Sequence, residues 1–266
     1  MRTIVIGDIH GNLRALKELL EKTKYDPTID RLICVGDYVD GYPESAQVIN
    51  LLISLQEQSG GRNIYLLGNH DEWVRDALND SYNQFASKDK KWISSRYSLL
   101  WNQGGISTYD SYVHCIDNNL VDLLVHKEFF NSLKYYHTEN STAFVHAGWD
   151  YRMYYSITDV SNYGDMHDLI WDRSLFERAE HLQFLLDKGY EIRDTKIQFG
   201  GYDKLFIGHT AQYPFRPDLK HCNVYNVDTG AGWGGCLTGY ILETGDIYHT
   251  TLSEELYPGH VPRRKH

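Results

Sequence analysis

An α/β fold follows from the alternation of short apolar runs with amphipathic stretches along this chain. The runs Ile4 to Ile6, Leu32 to Val35 and Ile64 to Leu67 each end in Gly, and the segments between them carry apolar residues at helical spacing. A second observation is chemical. Blocks rich in Asp, His and Asn directly follow such runs at Gly7-Asp8-Ile9-His10-Gly11, Gly36-Asp37-Tyr38-Val39-Asp40 and Gly68-Asn69-His70-Asp71. They recur at His146-Ala147-Gly148, Gly208-His209-Thr210 and Asn226-Val227-Asp228-Thr229-Gly230. Loops at strand ends bring ligands from distant positions into one pocket while a buried sheet fixes their geometry, so the pattern predicts an enzyme with a metal centre.

Taken in order, the first run is a strand, and Leu13, Leu16, Leu19 and Leu20 after Gly11 predict a helix with its Leu face on the sheet. The second strand leads to a helix over Ser45 to Leu55, closed by the turn residues Ser59-Gly60-Gly61. Asn69 then falls at the end of the third strand. Residues 72 to 140 lose this rhythm and read as a mainly helical insertion over one edge of the pocket. Strand signals return at Thr142 to Val145, Leu205 to Ile207, Val224 to Val227 and Leu237 to Leu242, with Ile247-Tyr248 after the Gly245-Asp246 turn. Leu175 to Leu186 reads as a helix. The whole, residues 1 to 266, is expected to be one domain carrying that insertion.

The 266 residues carry a net charge of -10, which offers no basic stripe for a nucleic-acid backbone and leaves anionic substrates to be attracted by bound cations. Met1 leads almost directly into the first strand, so neither a leader nor a membrane-length apolar segment is expected. Cys34, Cys115, Cys222 and Cys236 are widely spaced without a CxxC pair, which fits free thiols and a cytoplasmic location.

Asp8 and His10 in an extended segment would point to one side and grip one cation. Asp37 is suited to bridging two cations, and Asn69, His146 and His209 are neutral donors for the second, which limits the negative charge facing a phosphate. Manganese is the expected metal, although iron and zinc accept the same oxygen and nitrogen donors.

The ordered blocks resemble those of calcineurin-like metallophosphoesterases, in particular the phosphoprotein phosphatase (protein Ser/Thr phosphatase-like) branch with its bacterial and phage members. The resemblance spans residues 7 to 230. It implies a two-sheet β-sandwich flanked by helices, with a dimetal site at strand C-terminal ends. One metal would be held by Asp8, His10 and Asp37, the other by Asp37, Asn69, His146 and His209. The resemblance further implies a metal-activated hydroxide as nucleophile, His70 as general acid and Asp40 as the carboxylate that orients it. Trp171-Asp172-Arg173 resembles a Trp-x-Arg element of bacterial members, which makes Arg173 a phosphate ligand with a bidentate fork.

Two departures from the family pattern stand out. Gly41 replaces an arginine expected after Asp40, and Asp71 replaces the glutamate usual in protein phosphatases; an Asp there is similar to the diadenosine tetraphosphatase branch. The expected substrate is therefore a phosphoprotein or a small phosphoester, with a dinucleoside polyphosphate as the alternative and an inactive phosphate-binding protein as a third reading. Oligomeric state is left open. Any single block is better explained as a turn with a satisfied histidine; several in matching order are not. His114, His126, His137, His167, His181, His221 and His249 lack such context and are read as surface or locally bonded. Asp228 and Thr229 fit a strand-end turn and a hydrogen bond behind a metal-binding histidine equally well. Trp149, Tyr151, Tyr154 and Tyr155 offer a substrate wall, against which core packing weighs more heavily. Arg263-Arg264-Lys265 reads as a solvated tail.

Overall fold

Two five-stranded mixed sheets face each other in the computed structural model, which describes residues 1–80, 101–149, 163–190, 199–212 and 219–260. The first sheet contains β1 (Thr3–Ile6), β2 (Arg31–Cys34), β3 (Ile64–Tyr65), β9 (Thr238–Ile241) and β10 (Ile247–His249), in the order β10-β9-β1-β2-β3. In it β1, β2 and β3 run parallel, with Ile4 opposite Leu32 and Ile33 opposite Ile64, and β9 pairs antiparallel to β1. The second contains β4 (Tyr136–Glu139), β5 (Thr142–Val145), β6 (Lys204–Ile207), β7 (Lys220–His221) and β8 (Val224–Asn226), in the order β4-β5-β6-β8-β7. There β5, β6 and β8 are the parallel members.

The continuous apolar runs have a simple cause. Val5, Ile33 and Ile64 of one sheet pack against Phe144 and Phe206 of the other, while their neighbours Ile4, Ile6, Leu32, Cys34, Ala143 and Leu205 join the helix-side core. Both faces of each central strand are covered, so alternation between apolar and polar residues disappears. Burying one such Phe or Ile side chain contributes roughly 1.5–3 kcal/mol.

Helix α1 (Leu13–Lys22) is capped by Asn12, whose side chain accepts from the Ala15 amide, and buries Leu13, Leu16 and Leu19 as its spacing predicts. The β2–β3 crossover is α2 (Ser45–Gln58). Helix α3 (Asn69–Asp80) begins at Asn69, so the third strand stops earlier than the apolar run and Asn69 opens a helix. A turn at Trp101–Gly105 leads into α4 (Ile106–Asp117), followed by α5 (Leu123–Ser132). α6 (Tyr163–Trp171) and α7 (Ser174–Asp187) lie between β5 and β6 in sequence, and α8 (Ser253–Leu256) follows β10.

Two strands have no apolar signature. β4 falls inside the stretch read as helical and β7 is a two-residue edge; the four residues of β4 are all half-buried, which removes the run that marks an interior strand. Cys34, Cys115, Cys222 and Cys236 are free thiols. Among the described residues no helix is long and apolar enough to cross a membrane.

Candidate metal centre

Every parallel strand delivers a block at its C-terminal end: Asp8 and His10 follow β1, Asp37 and Asp40 follow β2, and Asn69 and His70 follow β3. From the second sheet, His146 follows β5, His209 follows β6 and Asp228 follows β8. Asp8, His10, Asp37, Asn69, His70, His146 and His209 are all buried. His10, Asp37, Asp40 and His209 adopt positive φ (52°, 55°, 67° and 64°), a conformation costly for residues with a Cβ and held only where the surroundings dictate it.

Asp8 and His10 face each other by a different route from the one expected of an extended segment. β1 ends at Ile6 and the chain turns, with the His10 amide donating to the Asp37 carbonyl at 2.9 Å. His10 Nε2 then lies 3.9 Å from Asp8 Oδ2 and 3.6 Å from Asp37 Oδ2. Its Nδ1 donates to the Val39 carbonyl at 3.0 Å, which assigns the tautomer with a lone pair on Nε2. His146 is built alike: Nδ1 donates to the Val35 carbonyl at 2.9 Å, and Nε2 lies 3.5 Å from Asp37 Oδ2 and 3.2 Å from Asn69 Oδ1.

His209 completes the second group. Burial, reinforced by His146 and Arg173, pushes its imidazole down to about 2, so it is neutral, and its buried Nε2 has no hydrogen-bond partner. Burial opposes ionisation of Asp37, whereas positive charge on the rings of His146, His70 and His10 would hold its carboxyl well below the usual range, and a cation among them would do the same. A central anion ringed by imidazole nitrogens is the donor set divalent cations take. Donor atoms of Asp37, His146 and His209 all lie within 4.8 Å of one another, as do those of His10, Asp37 and His70. The residues therefore fit two metal ions sharing Asp37. Asp8 also anchors the strand ends, its Oδ2 accepting the His209 amide at 3.0 Å.

His70 Nδ1 donates to Asp40 Oδ2 at 2.8 Å, leaving Nε2 as its other titratable nitrogen. His70 lines a cavity of about 400 Å³ together with His10, Asp37, Asn69, His209 and Arg173. Arg173 immediately precedes α7 and donates from Nη1 to the His209 carbonyl at 2.9 Å. Asp228 also lines this cavity and closes its own turn by accepting the Gly230 amide at 2.9 Å. Thr229 does neither and bonds instead to the Cys236 carbonyl at 2.7 Å.

Gly41 stands at φ 115°, a backbone conformation that glycine takes readily and arginine rarely adopts. A Cβ on Gly104 would stand 2.7 Å from the Gly41 nitrogen, so the turn before α4 crosses position 41 backbone to backbone. Gln103 of that turn lines the cavity. Asp71 is a buried brace: Oδ2 accepts the Asp37 and Gly68 amides at 2.7 and 2.9 Å, and Oδ1 the Tyr38 amide at 2.9 Å. Burial and the nearby Asp37 charge push its carboxyl up against those three bonds.

Trp149 takes the core-packing role that weighed more heavily in its sequence reading. That ring is buried and packs edge-on to Tyr136 and Tyr202; Tyr151, Tyr154, Tyr155 and the Arg263-Arg264-Lys265 tail lie outside the described residues. Trp73, Trp171 and Trp233 line the cavity instead. Trp73 lies three residues beyond His70, a spacing that helix geometry makes a shared face, whereas Gln103 carries no local signal.

Residues 1–213 match the family model for calcineurin-like phosphoesterases. The chain belongs to that family and is a metal-dependent phosphoester hydrolase. It is 28% identical over 237 residues to serine/threonine-protein phosphatase 1 of Salmonella typhimurium, covering 88% of both chains. Over 294 residues it is 26% identical to the symmetrical bis(5'-nucleosyl)-tetraphosphatase of Pseudomonas fluorescens, covering 93% of this chain and 94% of that one. A 45% match to the corresponding Pseudomonas putida enzyme spans 71 residues, 27% of this chain and 23% of that protein. The same fold is seen in a Saccharomyces cerevisiae protein serine/threonine phosphatase (TM-score 0.56, 15% identity, 95% of this chain and 79% of that one). It recurs in a Sphaerobacter thermophilus metallophosphoesterase (TM-score 0.52, 13% identity, 95% and 89%).

Proposed function

We propose that this chain hydrolyses phosphomonoesters in the manner of a protein Ser/Thr phosphatase. The observation that carries the reading is the buried His70–Asp40 pair, 2.8 Å apart, beside the donor cluster of Asp37, His146 and His209 and next to His10. Asp8, His10 and Asp37 would hold one divalent cation, and Asp37, Asn69, His146 and His209 another; manganese is the expected ion. When bound, the two cations supply positive charge against the phosphoryl oxygens and acidify water. Arg173 orients the phosphate with its planar fork. Water attacks phosphorus as the bond to the leaving oxygen breaks, and His70 gives that oxygen its proton from Nε2 while Asp40 steadies the imidazolium through Nδ1–H.

Residues 1 to 266 act in this reading as one catalytic domain, with Trp73 and Gln103 of the 72–140 insertion at one edge of the cavity, and the free thiols suit a reducing cytoplasm. A second reading, hydrolysis of dinucleoside polyphosphates, is favoured by Asp71 and by the full-length similarity to a symmetrical tetraphosphatase. Supplying Mn²⁺ with a phosphopeptide, p-nitrophenyl phosphate and diadenosine tetraphosphate separates the two. Phosphate release from the first two, lost by roughly 10²- to 10⁴-fold in His70→Asn and abolished in Asp37→Asn, is the expected result. Full activity in either variant would defeat the mechanism, and nucleotide products from the tetraphosphate alone would select the second reading.

A further inference from the structure

The phosphoesterase reading leaves the aromatic side of the cavity without a role. Trp73 is one turn beyond His70 on α3, and its ring meets the His70 imidazole edge-on at 4.9 Å. Trp171, the last residue of α6, lies 5.3 Å from Trp73 at an inclination of 58°. Behind it, His167 stacks on the Trp171 indole at 5.6 Å and 13°, fixing the plane of that ring. Both indoles are only half-buried, and both line the cavity beside His70 and Arg173.

Core packing accounts for these rings in part, since each also touches the helix-side core. It does not account for their partial exposure beside a cavity whose other walls, Trp233 and Ala211 apart, are polar or charged: His, Asp, Asn, Gln, Thr and Arg side chains. Large apolar rings left facing such a polar space gain their full burial only when a ligand covers them. A cavity of about 400 Å³ also has the size of small-molecule sites.

We propose that Trp73 and Trp171 form a stacking shelf for a planar ring carried on the leaving-group side of the scissile phosphate, so that aryl and nucleobase-bearing phosphoesters are the preferred substrates. The inference rests on the function proposed above, because His70 donates to the leaving oxygen and Trp73 is its immediate neighbour. A seryl or glyceryl ester is turned over by the same groups but leaves both indoles against water, so it is bound less tightly than a ring-bearing ester. An aryl group or a base has a π-face for them, an interaction that tolerates many ring types.

The test reads binding and turnover separately, on full-length protein supplied with Mn²⁺. Binding of phenylphosphonate and methylphosphonate, whose C–P bonds resist hydrolysis, is followed by tryptophan fluorescence and calorimetry. Adenosine 5′-monophosphate and ribose 5-phosphate form the nucleobase arm. The phenyl compound is expected to bind roughly 10- to 100-fold more tightly than the methyl compound. Trp73→Ala should collapse that ratio and Trp73→Phe should retain it; Trp171→Ala should behave like Trp73→Ala. A matching preference for the adenosine compound identifies nucleobases as a source of the ring, and its absence with the phenyl preference intact restricts the shelf to aryl esters. Equal affinity for phenyl and methyl compounds, or a preference that survives both alanine variants, overturns the shelf. Ring preference without turnover of any ester keeps the shelf and removes the proposed function; turnover without ring preference does the reverse.

Discussion

Asp40 reaches its working geometry through a residue 68 positions further along the chain. Thr108 Oγ1 donates to Asp40 Oδ1 at 2.7 Å and accepts the Asp40 amide at 2.8 Å, while Ser45 Oγ lies 2.9 Å behind it. All are buried, so replacing the hydroxyl by a methyl group leaves one carboxylate oxygen and one amide without that partner. Thr108→Val is expected to lower kcat about tenfold and Thr108→Ser to restore most of it. If Asp40 serves His70 as acid, the loss concentrates on esters with poor leaving groups, and an equal loss on p-nitrophenyl and alkyl phosphates would contradict that role. Gly208 offers a second test. A Cβ there would stand 2.1 Å from Asp8 Oδ1 and 2.9 Å from Val35 Cγ2, so alanine must displace the carboxylate. Gly208→Ala should weaken Mn²⁺ binding by roughly 10- to 100-fold, measured by calorimetry, with the far-ultraviolet circular dichroism retained.

At the scale of elements, the helices over the first sheet are tied together by His126. From α5, its Nδ1 accepts from the Tyr112 hydroxyl of α4 at 2.9 Å, and its Nε2 donates to Asn50 Oδ1 of α2 at 2.7 Å. Read in sequence as surface or locally bonded, it is 1% exposed. Burial pushes its imidazole down to about 4 from 6.5, with Asp122 pulling weakly the other way. A depressed folded-state value means that this residue's contribution to stability is complete above about pH 6.5, where both states are neutral. It is lost as pH falls towards 4, because the unfolded chain takes up the proton first. The loss amounts to about 3 kcal/mol at most. Urea unfolding at pH 7.5, 5 and 4 should show His126→Gln with a flatter pH dependence than the wild type across that window; parallel curves would reject the assignment.

For the whole molecule, six parallel strands from two sheets end on one rim, and their carboxylates and imidazoles converge there without a compensating basic cluster among the lining residues other than Arg173. Metal binding should therefore stabilise the folded chain as well as activate it. Removing metal with a chelator is expected to abolish turnover and lower Tm. Mn²⁺ at about a hundred times its Kd should return both, the stability gain being about 2.7 kcal/mol. A Tm indifferent to metal would show that the donor groups hold no ion.

Interior strands and the ligand blocks were legible in sequence because both obey local rules. Burial on two faces writes Ile4 to Ile6 or Leu32 to Val35 as an uninterrupted apolar run, and a strand end followed by Gly and a ligand is a short motif. Edge strands such as β4 carry no such rule, since half-buried polar residues satisfy their environment as well in a loop. What the sequence by itself determined was the α/β class, the family and which Asp, His and Asn blocks gather at the strand ends. Only tertiary structure decided which atoms meet: Thr108 behind Asp40, Gly104 against Gly41, Trp73 beside Trp171. Those contacts join distant stretches of chain, so packing between elements, and no local spacing, sets them.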